Sequence, residues 1–296
     1  FGDHRVLHLS IRLHLQMFIR DSIYPDAELN RIPFAALSSH KDDQLLGDAV
    51  KIRLLTTGRE LLDLAKRSKS SKQKSLVVAN PAFNLVKTNQ SKKESNLIAS
   101  NTSQKRSGDL TSFNWDPLTG SAKEGNVIAE LINAKLLTKD KATSLTVQEE
   151  KSPKVLHIAS HAYYLPDQEK GENPLLRSGI VLAGANNPFL NPIDDGYLTA
   201  LEATNLNLEG TDLVVISGCE SGQGDIKSGQ GVYGLRRSLA VAGAKSQLLS
   251  LWKVDDLGTA AFMEAFYKNL DKGIAKDIAL KNTQKEFQNH PIPSWR

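Results

Sequence analysis

The sequence predicts an α/β protein built as a three-layer sandwich, in which helices cover both faces of a mostly parallel sheet. Its 296 residues are enough for one large domain or two modest ones. Several short segments are unbroken apolar runs, as expected for strands that are buried on both faces. In the second half of the chain these runs alternate with segments of helical periodicity, an order that is typical of parallel sheets.

Residues 1–74 are predicted to form an N-terminal, strand-rich part. Residues 6–15 alternate between two sides, which predicts a half-buried strand. Two short strands are expected at residues 23–24 and 52–55, and an amphipathic helix at residues 60–67. The apolar segment at residues 32–37 is expected to be a buried helical turn or the end of a strand.

Residues 75–296 are predicted to form the main α/β domain. The candidate strands are the apolar runs at residues 75–79, 155–160, 180–183, 213–217 and 246–252. Three of the helices expected around them lie at residues 232–242, 258–270 and 274–289.

Two further features are predicted within this domain. Ser121 and Glu124 match a capping box, which predicts a helix from Ser121 to about Leu137. Residues 87–117 are rich in Ser, Asn and Lys and have few apolar anchors. They are predicted to be a surface insertion that the chemistry does not need.

Composition narrows the class of protein. No apolar run approaches the roughly 18 residues of a membrane span, and the N-terminus lacks a signal-peptide pattern. The 37 basic and 33 acidic residues give a net charge of +4, and the basic stretches lack the interleaved aromatic residues of a base-stacking surface. Cys219 is the only cysteine, which excludes an internal disulfide and fits a reducing compartment. We therefore expect a cytoplasmic protein that binds neither nucleic acid nor a membrane.

Two predicted strands lead into residues that could form a nucleophile and its base. His161 directly follows one strand, and Gly218 and Cys219 follow another. Sites in open α/β sheets form beyond the carboxyl ends of the strands, and neighbouring parallel strands lie about 4.8 Å apart. If these strands are neighbours, the thiol and the imidazole reach the same edge of the sheet. Gly218 and Gly222 permit a tight turn whose backbone N–H groups could form an oxyanion hole.

Other ligand motifs receive less support. Residues 229–234 match G-x-G-x-x-G, but a dinucleotide-binding motif should follow its strand immediately, and the strand ends near Ser217. The histidines of the N-terminal part have no metal-ligand spacing with acids or cysteine. We expect no metal and no cofactor, and a protein or peptide as substrate.

Longer motifs carry a specific family resemblance. They are LHIASHA (156–162), SGIVLAGAN (178–186), DGYLTALEATNLNLEGTDLVVISGCESGQG (195–224), GQGVYGLRRSLAVAGAKSQLLSLWKVDD (229–256) and FYKNL (266–270), with YPDAELNRIPFAAL (24–37) and TTGRELL (56–62) upstream. On these motifs the chain resembles a CHAT domain, the caspase-like domain associated with HetF and with tetratricopeptide repeats, in its cyanobacterial style.

The resemblance implies a cysteine endopeptidase of the caspase, separase and gingipain superfamily. The catalytic histidine and cysteine of the family fall on His161 and Cys219. The oxyanion hole falls on the backbone N–H groups of Cys219 and Ala162, the latter at a position where relatives commonly have glycine. The resemblance also implies tetratricopeptide repeats or other regulatory proteins as partners, and an aromatic-rich strand after residue 296 that closes the domain.

Several superfamily members select a charged side chain with an acid that lies just past the strand after the nucleophile's helix. By this resemblance we expect cleavage after a basic residue, with Asp255 as the acid of the primary specificity pocket. Asp256, Asp195 and Trp252 are further candidates for substrate binding. A second interpretation is that one or both of the paired aspartates cap the helix that begins near Gly258.

A different class of function is also open. Caspase-like folds can lose activity and keep their partners, so the chain could be a catalytically silent regulatory or protein-interaction domain. The presence of both His161 and Cys219 favours the peptidase.

Overall fold

The chain divides into two compact units, residues 1–65 and 66–296, in a computed structural model. The structure describes residues 21–23, 32–39, 44–55, 69–86, 110, 113–165, 173–191, 193–218, 230–250 and 255–292. In the first unit, β1 (Asp21–Ile23) and β2 (Ile52–Leu54) pair in parallel, and a 3-10 turn (Phe34–Ala36) and helix α1 (Leu46–Ala49) accompany them. The strand predicted at residues 6–15 and the helix predicted at residues 60–67 lie outside the described residues.

The segment just before residue 75 is bonded to the second unit. The backbone N–H of Ser71 donates to the carbonyl of Gly210 over 2.8 Å, and the Ser70 hydroxyl donates to the carboxylate of Asp212. These contacts explain why the boundary between the units precedes the expected division at residue 75.

A five-stranded parallel sheet forms the centre of the second unit. The strands of this unit are β3 (Leu76–Pro81), β4 (Lys135–Lys139), β5 (Val155–Ala159), β6 (Ala162–Tyr164), β7 (Ser178–Val181), β8 (Tyr197–Thr199), β9 (Leu213–Ser217) and β10 (Gln247–Leu249). The central sheet has the order β10-β9-β5-β3-β4, and every pair in it is parallel. The predicted parallel sheet is thus confirmed.

Helices cover both faces of this sheet. They are α2 (Thr119–Leu131), α3 (Ser144–Glu149), α4 (Ala200–Ala203), α5 (Gln230–Val241), α6 (Asp256–Asp271) and α7 (Lys276–Gln288). Alternate strand residues point to opposite faces. Val77 lies in one apolar cluster with residues of α2, α6 and α7, whereas Leu76 and Val78 lie in another with residues of α4 and α5. Two buried faces explain the unbroken apolar runs and confirm the three-layer sandwich.

The strand predicted at residues 180–183 belongs to a second sheet. It corresponds to β7, which pairs with β6 and β8 in a three-stranded antiparallel sheet. All four of its residues are buried. An apolar run therefore identified the strand correctly but did not indicate the sheet that contains it.

Helix α2 differs from its prediction at both ends. It begins at Thr119 after Leu118, whose side chain makes no capping bond, so the capping box predicted at Ser121 is wrong. Its last residue is Leu131, and Asn133 adopts a φ of 47°, which leads the chain into β4. The predicted helical continuation to Leu137 is therefore wrong as well.

Candidate active site

His161 lies just beyond the carboxyl end of β5, packed by two aromatic residues. The ring centroids of Phe83 and Trp115 are each 5.3 Å from that of the imidazole, and His161 is only 5% exposed. Its Nε2 lies 2.8 Å from the carbonyl oxygen of Asp116. A carbonyl can only accept, so Nε2–H donates to it, and the lone pair of the neutral ring is on Nδ1. The surroundings thus select one tautomer and one orientation.

Burial lowers the pKa of His161 below its ordinary value. Desolvation is the largest cause, because a charged imidazolium is disfavoured away from water. The hydrogen bond to the Asp116 carbonyl and the negative charges of Asp256 and Asp116 act in the opposite direction. The neutral ring, which can accept a proton, is therefore favoured at neutral pH.

The carboxyl ends of β5 and β9 are neighbours, which is the condition under which the thiol and the imidazole reach the same edge of the sheet. Ala159 pairs with Ser217, and the backbone N–H of Ser160 donates to the carbonyl of Ser217 over 3.1 Å. Gly218 follows and packs closely against the segment that comes after β5. A Cβ on Gly218 would clash with the carbonyl oxygen of Ser160 and would lie 3.4 Å from the backbone nitrogen of Ala162. Gly218 therefore brings the backbone against the residues on either side of His161. Cys219 comes next in the sequence and lies outside the described residues.

A small cleft lies beside Gly218. It is lined by Leu118, Ser121, Glu124, Ser217, Gly218, Asp256 and Thr259. One Asp256 carboxylate oxygen, Oδ2, accepts from the backbone N–H of Gly120 over 2.6 Å. The positive end of the α2 dipole stabilises this carboxylate. The cleft thus holds two acidic side chains next to the backbone that leads into Cys219.

The second acid of the cleft, Glu124, ends a buried chain of hydrogen bonds. Its Oε1 lies 2.9 Å from Nε2 of His157, and Nδ1 of His157 lies 3.1 Å from the hydroxyl of Tyr267. All three side chains are buried, and His157 has no exposed surface. The spacing of Ser121 and Glu124 predicted a capping role for Glu124, which the structure does not show. The signal for its burial is the spacing of buried positions along α2, which includes Ser121, Glu124 and Ile128 and so places polar residues on the buried stripe.

The four residues predicted to bind substrate have different surroundings. Asp255 is the N-cap of α6, and its Oδ1 accepts from the backbone N–H of Gly258 over 2.7 Å, so the capping interpretation holds for this residue. Asp256, the first residue of α6, lines the cleft instead. Asp195 is buried, and its Oδ1 accepts from the backbone N–H of Tyr197 over 2.9 Å. Trp252 lies outside the described residues.

The carboxyl-terminal end of the predicted insertion is packed against the site. Leu110 and Trp115 are buried, and the Trp115 indole N–H donates to the Tyr197 hydroxyl over 3.0 Å. Trp115 and Asp116 also contact His161. The prediction of a surface insertion over the whole of residues 87–117 is therefore wrong at this end, because short-range composition does not reveal a single buried anchor.

The described part of the chain contains neither a membrane-spanning helix nor a metal-binding group. No described helix has both the length and the apolar composition required to cross a membrane. Within the same residues, no group of three or more His, Cys, Asp or Glu side chains could hold a metal ion.

A parallel sheet covered by helices on both faces, with a buried histidine beyond its carboxyl edge, defines a caspase-like α/β protein. A family model described as the CHAT domain matches residues 20–294, and the chain belongs to this family, which is related to the caspase-like peptidases. The chain is also 24% identical over 203 residues to human (Homo sapiens) tetratricopeptide repeat protein 28. That match covers 59% of this chain but only 8% of the length of the human protein.

Proposed function

We propose that this chain is a caspase-like cysteine endopeptidase that uses His161 and Cys219. The observation that carries the proposal is the contact of Gly218 with the residues flanking His161, because the next residue in the chain is the cysteine. Nδ1 of His161 would take the thiol proton, and the sulfur would attack the carbonyl carbon of the scissile peptide bond. The leaving amine would take that proton as the C–N bond breaks, and water would then hydrolyse the thioester.

Backbone N–H groups would stabilise the oxyanion that forms during this attack. The candidates are those of Cys219 and Ala162. Gly218 approaches the Ala162 nitrogen closely, which supports the idea that the N–H groups of Cys219 and Ala162 could bind the same oxyanion. Loss of a single oxyanion-hole donor typically costs about 10²–10³ in turnover.

A basic residue before the scissile bond suits the charge of the cleft. Among the acids predicted for this role, Asp256 has the best support, because it lines the cleft and its charge acts on His161. Asp255 is the next candidate, as a nearby charge, although its carboxylate accepts the hydrogen bond that caps α6. Asp195 and Trp252 remain further candidates for substrate binding.

The substrate would be a protein in the cytoplasm, cleaved in a regulatory step. The matched human relative is named for its tetratricopeptide repeats. Such repeats bind other proteins, so a repeat-containing region or a separate repeat protein would recruit the substrate.

The proposal is tested by labelling and by proteolysis. A peptidyl thiol-reactive probe should modify Cys219, and the protein should cleave members of a peptide library. Cys219→Ala and His161→Ala should each abolish cleavage, with unchanged circular dichroism and thermal unfolding. Cleavage retained by purified Cys219→Ala would exclude the proposed mechanism. A folded wild-type protein that neither reacts nor cleaves would favour the silent interaction domain.

A further inference from the structure

We infer that Asn186 is a positioning residue for His161, which acts by holding the two chain segments that carry Phe83 and Trp115 against the imidazole. Asn186 is half-buried and lies in the connection between β7 and β8. Its importance for catalysis rests on the proposed function, whereas its effect on the imidazole can be measured without any turnover.

The side-chain amide of Asn186 bonds to both backbone polar groups of Trp115. Its Oδ1 accepts from the Trp115 backbone N–H over 2.8 Å, and its Nδ2 donates to the Trp115 carbonyl oxygen over 3.1 Å. Nδ2 also donates to Oδ1 of Asn84 over 2.8 Å, so both of its hydrogens have acceptors. An amide turned the other way would place its oxygen against two acceptors, and these contacts therefore allow one orientation of the group.

These bonds leave the Asp116 carbonyl little freedom. They hold the peptide group that joins Trp115 to Asp116, one peptide unit before the carbonyl that accepts from Nε2–H of His161. The residue after Asp116 is Pro117, whose ring restricts the preceding residue to extended conformations. The Asn186 amide on one side and the proline on the other thus determine the direction of the Asp116 carbonyl.

The backbone of Asn186 is bonded to the segment that carries Phe83. Its N–H donates to the carbonyl oxygen of Phe83 over 3.0 Å, and the N–H of Gly184 donates to the carbonyl oxygen of Ala82 over 3.0 Å. Phe83 follows β3 in the chain, whereas Trp115 precedes α2. One residue therefore joins two segments that are distant in the sequence and that both pack on the imidazole.

The test measures which nitrogen of His161 carries the hydrogen. The full chain with Cys219→Ala is labelled with ¹⁵N-histidine, and long-range ¹H–¹⁵N NMR spectra are recorded above the pH at which the ring titrates. The His161 signals are those that His161→Gln removes. We expect the parent to be protonated at Nε2. In Asn186→Ala the ¹⁵N shifts of Nδ1 and Nε2 should move toward each other, because a mobile carbonyl no longer selects one tautomer. A substitution that only lowered stability would leave these shifts unchanged in the folded protein.

Asn187 provides matched controls, because its side-chain amide donates to the backbone carbonyl of Asn84 over 3.1 Å rather than to Trp115. Asn187→Ala should keep the parent shifts. If Asn186→Ala does not fold, Asn186→Asp gives the second test. It keeps an oxygen for the Trp115 N–H but turns an acceptor toward the Trp115 carbonyl, so the two shifts should again converge. Asn187→Asp adds the same charge one residue away and should have no such effect.

Three results would overturn the inference. They are parent shifts in a folded Asn186 variant, equal convergence in the Asn187 controls, and a parent ring that is protonated at Nδ1.

The two proposals can fail separately. In the protein with Cys219, Asn186→Ala should lower kcat by up to about 10²-fold, as for a misplaced catalytic group, and should change KM less. If the shifts depend on Asn186 but the wild type cleaves no peptide, only the proposed function fails. If the wild type cleaves peptides while the Asn186 variants keep the parent shifts, only the role of Asn186 fails.

Discussion

At the scale of single residues, the neighbours of His161 determine its protonation. Phe83 and Trp115 keep water from the ring, and the Asp116 carbonyl fixes the nitrogen that carries the hydrogen. Exclusion of water has the larger effect on the pKa, and it favours the neutral base that the proposed chemistry needs.

The direction of this pKa shift gives a prediction for pH dependence. We expect NMR titration of His161 in the Cys219→Ala protein to give a midpoint below that of an exposed histidine. Because the folded-state pKa is lowered, the unfolded state binds more protons, and His161 should reduce stability as the pH falls through the unfolded-state pKa. A midpoint for His161 at or above the ordinary histidine value would contradict the expected shift.

Gly218 permits the close approach of two chain segments, so Gly218→Ala should be costly. The added methyl group would clash with the carbonyl oxygen of Ser160, and such overpacking typically costs about 1–3 kcal/mol. We expect a lower free energy of unfolding in urea and a loss of peptide cleavage. At Gly273 the backbone has a φ of +77°, but no atom lies within 4 Å of the position a Cβ would occupy. Gly273→Ala should therefore cost about 1–2 kcal/mol through strain and leave cleavage intact. Equal activity in the two variants would show that the close contact at Gly218 is not needed.

At the scale of elements, the segment before α2 supports the site with few residues. Phe113 stacks on Trp115 at a centroid distance of 5.4 Å, and the Trp115 backbone N–H donates to the side-chain carbonyl of Asn186 over 2.8 Å. These contacts hold the segment where the Asp116 carbonyl meets the imidazole. One buried ring can therefore hold a connecting segment in place against the site.

Trp115→Ala tests this role. We expect a fall of about 3–5 kcal/mol in the free energy of unfolding, as for other buried tryptophans. In protein that is still folded, kcat/KM should fall, and the pKa of His161 should rise because water can reach the ring. Phe189→Ala is the control, since that aromatic side chain is 77% exposed. Normal kcat/KM in folded Trp115→Ala would restore the prediction that residues 87–117 are dispensable.

At the scale of the whole molecule, the sequence predicted the strands whose apolar side chains are buried. It did not predict the features that depend on contacts between residues distant in the sequence. Strands β3, β5 and β9 could be predicted because both of their faces meet helices and require apolar side chains. The end of α2 could not, because nothing in its periodicity indicates the left-handed conformation of Asn133. Glu124 matched a local pattern, yet its hydrogen-bond partner, His157, comes from β5, and His157 in turn contacts Tyr267 of α6. In the candidate site, the two strand ends could be identified from the sequence, whereas their adjacency and the packing of Phe83 and Trp115 on His161 are seen only in the folded chain.

The His157 hydrogen bonds also determine how β5 can align within the sheet. His157 pairs in register with Val77 on one side and Val215 on the other, and all three belong to the face covered by α2 and α6. A slip of one residue would turn the imidazole toward the opposite apolar face and leave Glu124 and Tyr267 buried without their partner. Misaligned pairings of β5 are thereby disfavoured during folding. Since His161 follows on the same stretch of chain, the contacts that select the alignment also set how far it projects beyond the sheet.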